Sequence, residues 1–288
     1  MISSEPNARD GAAVQRRVFG AVLFLALALA LGFFVLPIVA IFARIPPGEL
    51  VGQLGNDVAR DALIVTAKTN GIAFALTLLV GTPAAYLLAL RRFPGRSLLI
   101  TLAELPLVLP PAVAGIGLLV AFGRLGLLGG SFDALGISIG FTQTAVVLAV
   151  LFVAGPFYFR QAIAAFESLD RDLVDAARTL GSAPARTFLR VALPLASGGL
   201  AAGAALCFAR GVGEFGATLI FAGSLQGVTQ TVTLAIYEQL EVDLDTALAI
   251  SALLVVVSAA VLLTAKLVPV WRRSSSTSPF GFGTSSFE

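Results

Sequence analysis

Residues 18–43 form an unbroken run of 26 without a single charged side chain. Crossing about 30 Å of hydrocarbon takes roughly 20 apolar residues in a helix, and the apolar core of a secretory leader is only about 7–15 residues long. The run therefore reads as a retained membrane span, with Pro37 near its far end. Inside lipid, every backbone N–H and C=O has to find its partner within protein, which restricts spanning segments to helices and closed barrels. Five further runs of helical span length follow, at 62–90, 98–122, 143–165, 195–222 and 246–270. Only 12% of the chain is charged, against about 25% in a typical soluble domain. The expected fold is an all-α polytopic membrane protein with six transmembrane helices, the third interrupted by Pro106, Pro110 and Pro111.

The connecting segments carry the polar residues. A polar N-terminal segment occupies residues 1–17, and a Ser-rich tail, expected to be disordered, occupies 271–288. The loop at 123–142 is glycine-rich, and the one at 223–245 has four acids and neither Lys nor Arg. Fourteen basic residues fall on one side of a six-span arrangement, in the two terminal segments, the 91–97 connector, the polar stretch after span four and, as Arg160 and Lys266, the adjoining ends of spans four and six. Three (Arg44, Arg60 and Arg124) fall on the other. Basic residues accumulate on the cytoplasmic side. Both termini and the polar stretch at 167–194 are thus expected in the cytoplasm, the 18–270 permease region crossing a bacterial plasma membrane between them.

Catalysis has little to work with. The chain has no histidine, and its one cysteine, Cys207, sits in an apolar run as a small buried hydrophobe. No Ser-His-Asp set, metal-ligand cluster or phosphate-binding G-x4-G-K-S/T loop occurs. The reading is a non-enzymatic chain with no cofactor and no metal site, and with lipid rather than nucleic acid as its surroundings.

The stretch at 167–194 is expected to be a structured elbow. Leu169, Leu173, Ala176, Ala177 and Leu180 recur on one helical face over 167–180. Gly181 is placed to end that helix, since glycine takes the left-handed C-terminal conformation without steric cost. Ser182 is expected to cap a second short helix, with Pro184 tolerated in its first turn. Leu193 and Pro194 then open the next span.

The pattern D-A-A-x3-G-x9-V-x-L-P is carried by Asp175, Ala176, Ala177, Gly181, Val191, Leu193 and Pro194. It resembles the E-A-A-x3-G-x9-I-x-L-P of importer-type ABC transporter permeases, with Asp for Glu and Val for Ile. The resemblance implies that the helix-turn-helix between spans four and five is a coupling loop, docking in a groove of cytoplasmic ABC ATPase subunits. Four further stretches are similar to the molybdate permease branch. They are PLVLPPAVAGIGLLVAFGRLGLLGG at 106–130, RGVGEFGATLIFAG at 210–223, TQTVTLAIYE at 229–238 and DLDTA at 243–247. Sulfate/thiosulfate permeases are next nearest, and Val232 and Thr233 stand where the molybdate branch more often has Leu-Pro. The resemblance implies import of molybdate, with tungstate alongside it, from an extracytoplasmic oxyanion-binding protein, by a permease homodimer.

Apart from Arg160 and Lys266, counted above with the cytoplasmic side, four ionisable residues fall inside the expected spans. Lys68 is expected to snorkel to the outer surface, and Glu104 to reach the 91–96 arginines. Arg210 lies near the middle of span five, one helical turn before Glu214. Two readings stand for this pair: mutual neutralisation, or contact with the anion or closure of a gate. Gly199 and Gly203 make a G-x3-G pair that suits either a pore- or dimer-facing surface or packing within the chain. A dianion entering against 100 mV costs roughly 4.6 kcal/mol. Secondary transporters and channels are the rival class, but with two acids in spans, no histidine and no visible repeat, the energy source is expected outside the chain.

Overall fold

The computed structural model describes residues 7–46, 48, 52–53 and 55–274, and among these every regular element is a helix. The chain divides into two compact units, residues 1–52 and 53–288. The first holds one long helix, α1 (Asn7–Arg44), which continues through Pro37 and begins eleven residues before the expected span.

The second unit contains the remaining ten helices of the described residues. They are α2 (Asp57–Leu90), α3 (Arg96–Leu107), α4 (Pro111–Phe122), α5 (Gly129–Ala134), α6 (Gln143–Glu167), α7 (Arg171–Thr179), α8 (Pro184–Val212), α9 (Gly216–Ala222), α10 (Val232–Val242) and α11 (Leu244–Ser274). Within α1, α2, α6, α8 and α11 lie five segments long and apolar enough to cross a membrane. The expected third span is not a rod. Helices α3 and α4 meet at 111°, and together they make the sixth crossing or a re-entrant hairpin. Each is about 18 Å long, too short to cross about 30 Å alone. Proline chemistry sets the break: α3 tightens into a 3-10 turn at Leu105–Leu107, Pro110 is extended, and Pro111 starts α4.

Three other boundaries differ from the sequence reading. The expected fifth span ends early, at Val212, and residues 216–222 form the separate short helix α9. The acidic stretch at 223–245 is no simple loop, since α10 occupies half of it and buries Val232, Leu234 and Ala235. Helix α11 runs on to Ser274, and the rest of the expected disordered tail, from residue 275, lies outside the described residues. Asp243, between α10 and α11, accepts the Thr246 hydroxyl at 2.6 Å. That bond, with the backbone N–H groups it also receives, holds the carboxyl below its usual range and starts α11.

Helix α6 is the centre of the second unit, with α2 and α8 packed along it. The contacts are made by small residues, as expected where helix association rests on close packing rather than on water exclusion. The buried face of α2 reads Ala59, Ala62, Val65, Thr66, Thr69, Asn70, Ala73, Thr77, Ala85, Leu88 and Ala89. Its threonines cost little in an apolar core because their hydroxyls bond back to carbonyls one turn earlier, Thr69 to Val65 at 2.7 Å and Thr77 to Ala73 at 2.8 Å. The Gly199–Gly203 pair also resolves. A Cβ at Gly199 would lie 2.6 Å from Ala165 Cβ, and one at Gly203 would lie 2.8 Å from Gln161 Cβ. Both glycines therefore press α8 onto α6, and the pore- or dimer-facing alternative for them falls away. The open face of α8 is a different stripe, marked by the exposed residues Leu195, Ala202, Leu206 and Gly213.

Candidate functional site

The elbow forms, with its details rearranged. Helix α6 stops at Glu167, and α7 starts afresh at Arg171, its N-terminus capped by the Asp170 carboxylate, which accepts the Asp172 N–H at 3.0 Å. Leu169 therefore lies in the break rather than on the helix. Gly181 ends α7 as expected, at φ +82°. The Gly181 N–H bonds Arg178 O at 2.9 Å and the Ser182 N–H bonds Ala177 O at 3.0 Å, the two bonds of a Schellman motif. Ser182 thus gives its backbone N–H to the close of α7. The residue that precedes α8 is Ala183, with no side-chain cap, and Pro184 is the first helical residue.

The apolar face of α7 points outward. Val174, which the periodicity did not place on that face, is the anchor at 2% exposure, on a helix packed against the start of α8. Leu173 and Leu180 are 49% and 87% exposed, and Ala176 between them is exposed too. Leu173, Ala176 and Leu180 thus form an exposed apolar stripe on a polar elbow, beyond the apolar spans.

Beyond the elbow the helix swells into a π turn over Phe188–Ala192. Pro194 has no N–H to complete the ordinary ladder, and the Leu193 N–H reaches back to Phe188 O. This turn sets Phe188 against Tyr86 of α2 and Phe166 of α6, with ring centroids 4.8 and 6.4 Å away; Tyr86 and Phe166 are 5.3 Å apart. The three rings tie the elbow to the two helices that carry the core. Two ion pairs join the same end of the molecule. Arg96 pairs with Glu167 and donates from Nε to Leu88 O at 2.5 Å. Glu104 sits 3.7 Å from Arg160, not on the 91–96 connector where it was expected. Arg160 lies on α6, and its approach to α3 is a tertiary contact.

At the far end of α8, Arg210 and Glu214 do meet, at 2.7 Å. Arg210 is in the last turn of α8 rather than mid-span. Glu214 lies in the break before α9, where its Oε1 accepts the Ala217 N–H at 2.8 Å and its backbone carbonyl accepts the Thr233 hydroxyl of α10 at 2.6 Å. The break itself is clamped: a Cβ on Gly216 would fall 2.8 Å from Pro111 Cβ, and one on Gly115 would fall 2.9 Å from Ile220 Cβ. The two short helices that follow broken spans, α4 and α9, thus pack directly on each other. Thr231 and Thr233 share a 3.0 Å hydrogen bond, and the Val232 N–H reaches Thr66 on α2 at 2.8 Å. Lys68 is exposed on α2.

Two larger cavities are lined without charge. One of about 490 Å³ lies between α2, α3 and α6 and includes Val80, Leu148, Phe152 and Phe159. One of about 310 Å³ includes Thr66, Asn70, Phe208 and Leu254. Neither offers an anion a cage of donors.

Comparison with known proteins agrees with this architecture. Residues 81–269 match the family model described as binding-protein-dependent transport system inner membrane component. The chain is 46% identical over 231 residues to the molybdenum transport system permease protein of Mycobacterium tuberculosis, covering 80% of this chain and 88% of that one. It is 40% identical over 177 residues to the molybdenum permease of Escherichia coli, covering 61% and 77%. It is 37% identical over 188 residues to a sulfate transport system permease protein of Synechococcus elongatus, covering 65% and 66%. Among solved structures, a bacterial alginate ABC transporter in complex with its pentasaccharide-bound periplasmic protein gives a TM-score of 0.68 at 16% identity, covering 88% of this chain and 94% of that one. The MetNI methionine ABC transporter, inward-facing, gives 0.57 at 18% identity, covering 73% and 94%. The fold is that of ABC transporter permeases, and the chain belongs to the family of binding-protein-dependent transport system inner membrane components.

Proposed function

We propose that this chain is the membrane-spanning subunit of an ABC importer that carries molybdate, with tungstate alongside it, into the bacterial cytoplasm. The observation that carries the substrate is the 46% identity, over most of both chains, to a permease named for molybdenum. The sulfate permease, at 37%, supports the second reading, sulfate or thiosulfate. Hydrolysis of ATP takes place on separate cytoplasmic subunits. An extracytoplasmic binding protein supplies the oxyanion, and two copies of this chain form the pathway. Both termini and the elbow face the cytoplasm, in keeping with the fourteen-to-three distribution of basic residues.

In this reading Asp175, Ala176, Ala177, Gly181, Val191, Leu193 and Pro194 form the coupling element. Helix α7 docks with its leucine face on the ATPase subunit. The Schellman turn fixes the angle of the elbow, and the π turn and the three aromatic rings carry its motion into α2 and α6. Phe188→Ala is then expected to lower uptake roughly tenfold, within the usual range of coupling free energies, while ATP hydrolysis by the assembled complex persists. Parallel measurement of uptake and hydrolysis checks this, and proportionate losses in both would sink it.

The functional test is competition of labelled molybdate uptake in proteoliposomes holding the permease, its ATPase subunits and the binding protein. Tungstate is expected to compete and sulfate in large excess is not. Sulfate competing as well as molybdate overturns the substrate, and uptake without ATPase subunits overturns the energy source.

A further inference from the structure

We propose that Arg210 receives the oxyanion at the far end of α8, and that Glu214 orients the guanidinium while weakening its hold so that the anion leaves again. The inference rests on the reading above that the chain moves an oxyanion. It starts from an asymmetry in the pair. Glu214 is buried and held at two points: its side chain is 1% exposed, Oε1 accepts the Ala217 N–H, and its backbone carbonyl accepts the Thr233 hydroxyl. Arg210 is held on one side only. Its side chain is 28% exposed, and its NH2 pairs with Glu214 Oε2 at 2.7 Å. No other ion pair or hydrogen bond of Arg210 occurs among the described residues.

A guanidinium has five N–H donors in a fixed fork that fits two oxygens of a tetrahedral oxyanion. A pair built only to neutralise itself in lipid would spend that fork on its partner carboxylate. Here most of it is unspent, at the end of the α8 stripe that no other helix of the second unit covers, beyond Ala202 and Leu206.

The carboxylate explains why such a site does not become a trap. Conduction needs binding strong enough to admit the ion and weak enough to release it. A lone, partly desolvated guanidinium facing a dianion fails the second condition. With Glu214 beside it the site has no net charge, and the incoming anion shares the arginine with a carboxylate that cannot move away.

Three variants of the full permease, assembled with its ATPase subunits and binding protein, decide the matter. Arg210→Gln is expected to lose uptake by at least about tenfold. The double variant Arg210→Gln, Glu214→Gln leaves no buried charge unpaired, so it keeps the test open even where the single variant fails to assemble. It is expected to stay at least about tenfold low. Glu214→Gln, with a net positive site, is expected to retain labelled oxyanion on the purified complex while uptake slows. A double variant within about twofold of wild type, the scatter of ordinary surface substitutions, makes neutralisation the pair's only task and overturns the proposal. So does a Glu214→Gln complex that retains no more oxyanion than wild type. The comparison uses whichever of molybdate, tungstate or sulfate the wild type takes up, so a wrong choice among them leaves the result readable. A wild type that takes up none of the three overturns both readings.

Discussion

An arginine in place of Ala176 is expected to abolish oxyanion uptake while the permease inserts at normal abundance. Ala176 is exposed on α7, between Leu173 and Leu180 on the outward stripe. Burying a leucine side chain against a partner contributes about 1.5–3 kcal/mol, so the two leucines account for much of what a docked elbow would gain. The small methyl of Ala176 leaves the notch between them open. A long charged chain there holds the leucines off the partner's surface and has to be desolvated if docking is to proceed. The fold of the permease itself loses nothing, because Val174, not Ala176, anchors α7. Uptake by intact cells and co-purification of the ATPase subunits are the two measurements. Normal uptake, or retained ATPase subunits with normal hydrolysis, would show that this face of α7 is not where the partner sits. Asp175 offers a contrast on the same helix: it is exposed and paired at 3.3 Å with Arg178, an exposed pair of the kind that contributes little.

The second large effect is on stability. Gly199→Leu is expected to destabilise the permease by about 3 kcal/mol, because helix α8 cannot stay where it is. Already the first added carbon would sit 2.6 Å from Ala165 Cβ, and alanine has no side-chain torsion with which to move aside. The backbone of α8 or α6 has to shift, and the contact between them is among the most extensive in the second unit. The neighbouring residue is the control. A Cβ on Gly198 meets nothing within 4 Å. Gly198→Ala is therefore expected to stay within about 1 kcal/mol of wild type, on the favourable side, since alanine is the better helix former. Thermal unfolding of the purified protein in detergent separates the two. Equal melting temperatures would mean that the α6–α8 contact is not the tight packing described.

Much of this was legible in the sequence because the bilayer is an exacting solvent. Long runs without charge had to be helices of a certain length, so the five straight spans follow from counting. Gly181 was readable because a left-handed turn after a helix selects glycine, and Pro184 because a first turn has N–H groups to spare. Other features fell outside such local rules. Periodicity identified an apolar face on the elbow but not that it points outward, since the same pattern serves burial and docking. Val174 became the anchor only when α8 folded back beside α7. Helix α10 was hidden by its acids: Glu238 and Glu241 made the segment look like loop, although Val232 and Ala235 were already one helical turn apart. Ser182 had the residue type for a cap, but the helix starts one residue later than that, with Ala183 in the capping position.

The sequence by itself thus determined that the chain is a bundle of membrane helices with a polar, basic elbow between spans four and five, and that Arg210 and Glu214 share a helical spacing. Those properties depend on solvent and on neighbours along the chain. What only the tertiary structure decided is how the broken spans are used. Pro110 and Pro111 announced a break, but its 111° angle is seen only in the fold, as is the packing of α4 on α9, where Gly115 meets Ile220 and Gly216 meets Pro111. That same junction takes Glu214 off the helix, pins it between α9 and α10, and leaves Arg210 reaching it from the last turn of α8. The physical reason is that close packing is a property of two surfaces, and one stretch of sequence states only half of it.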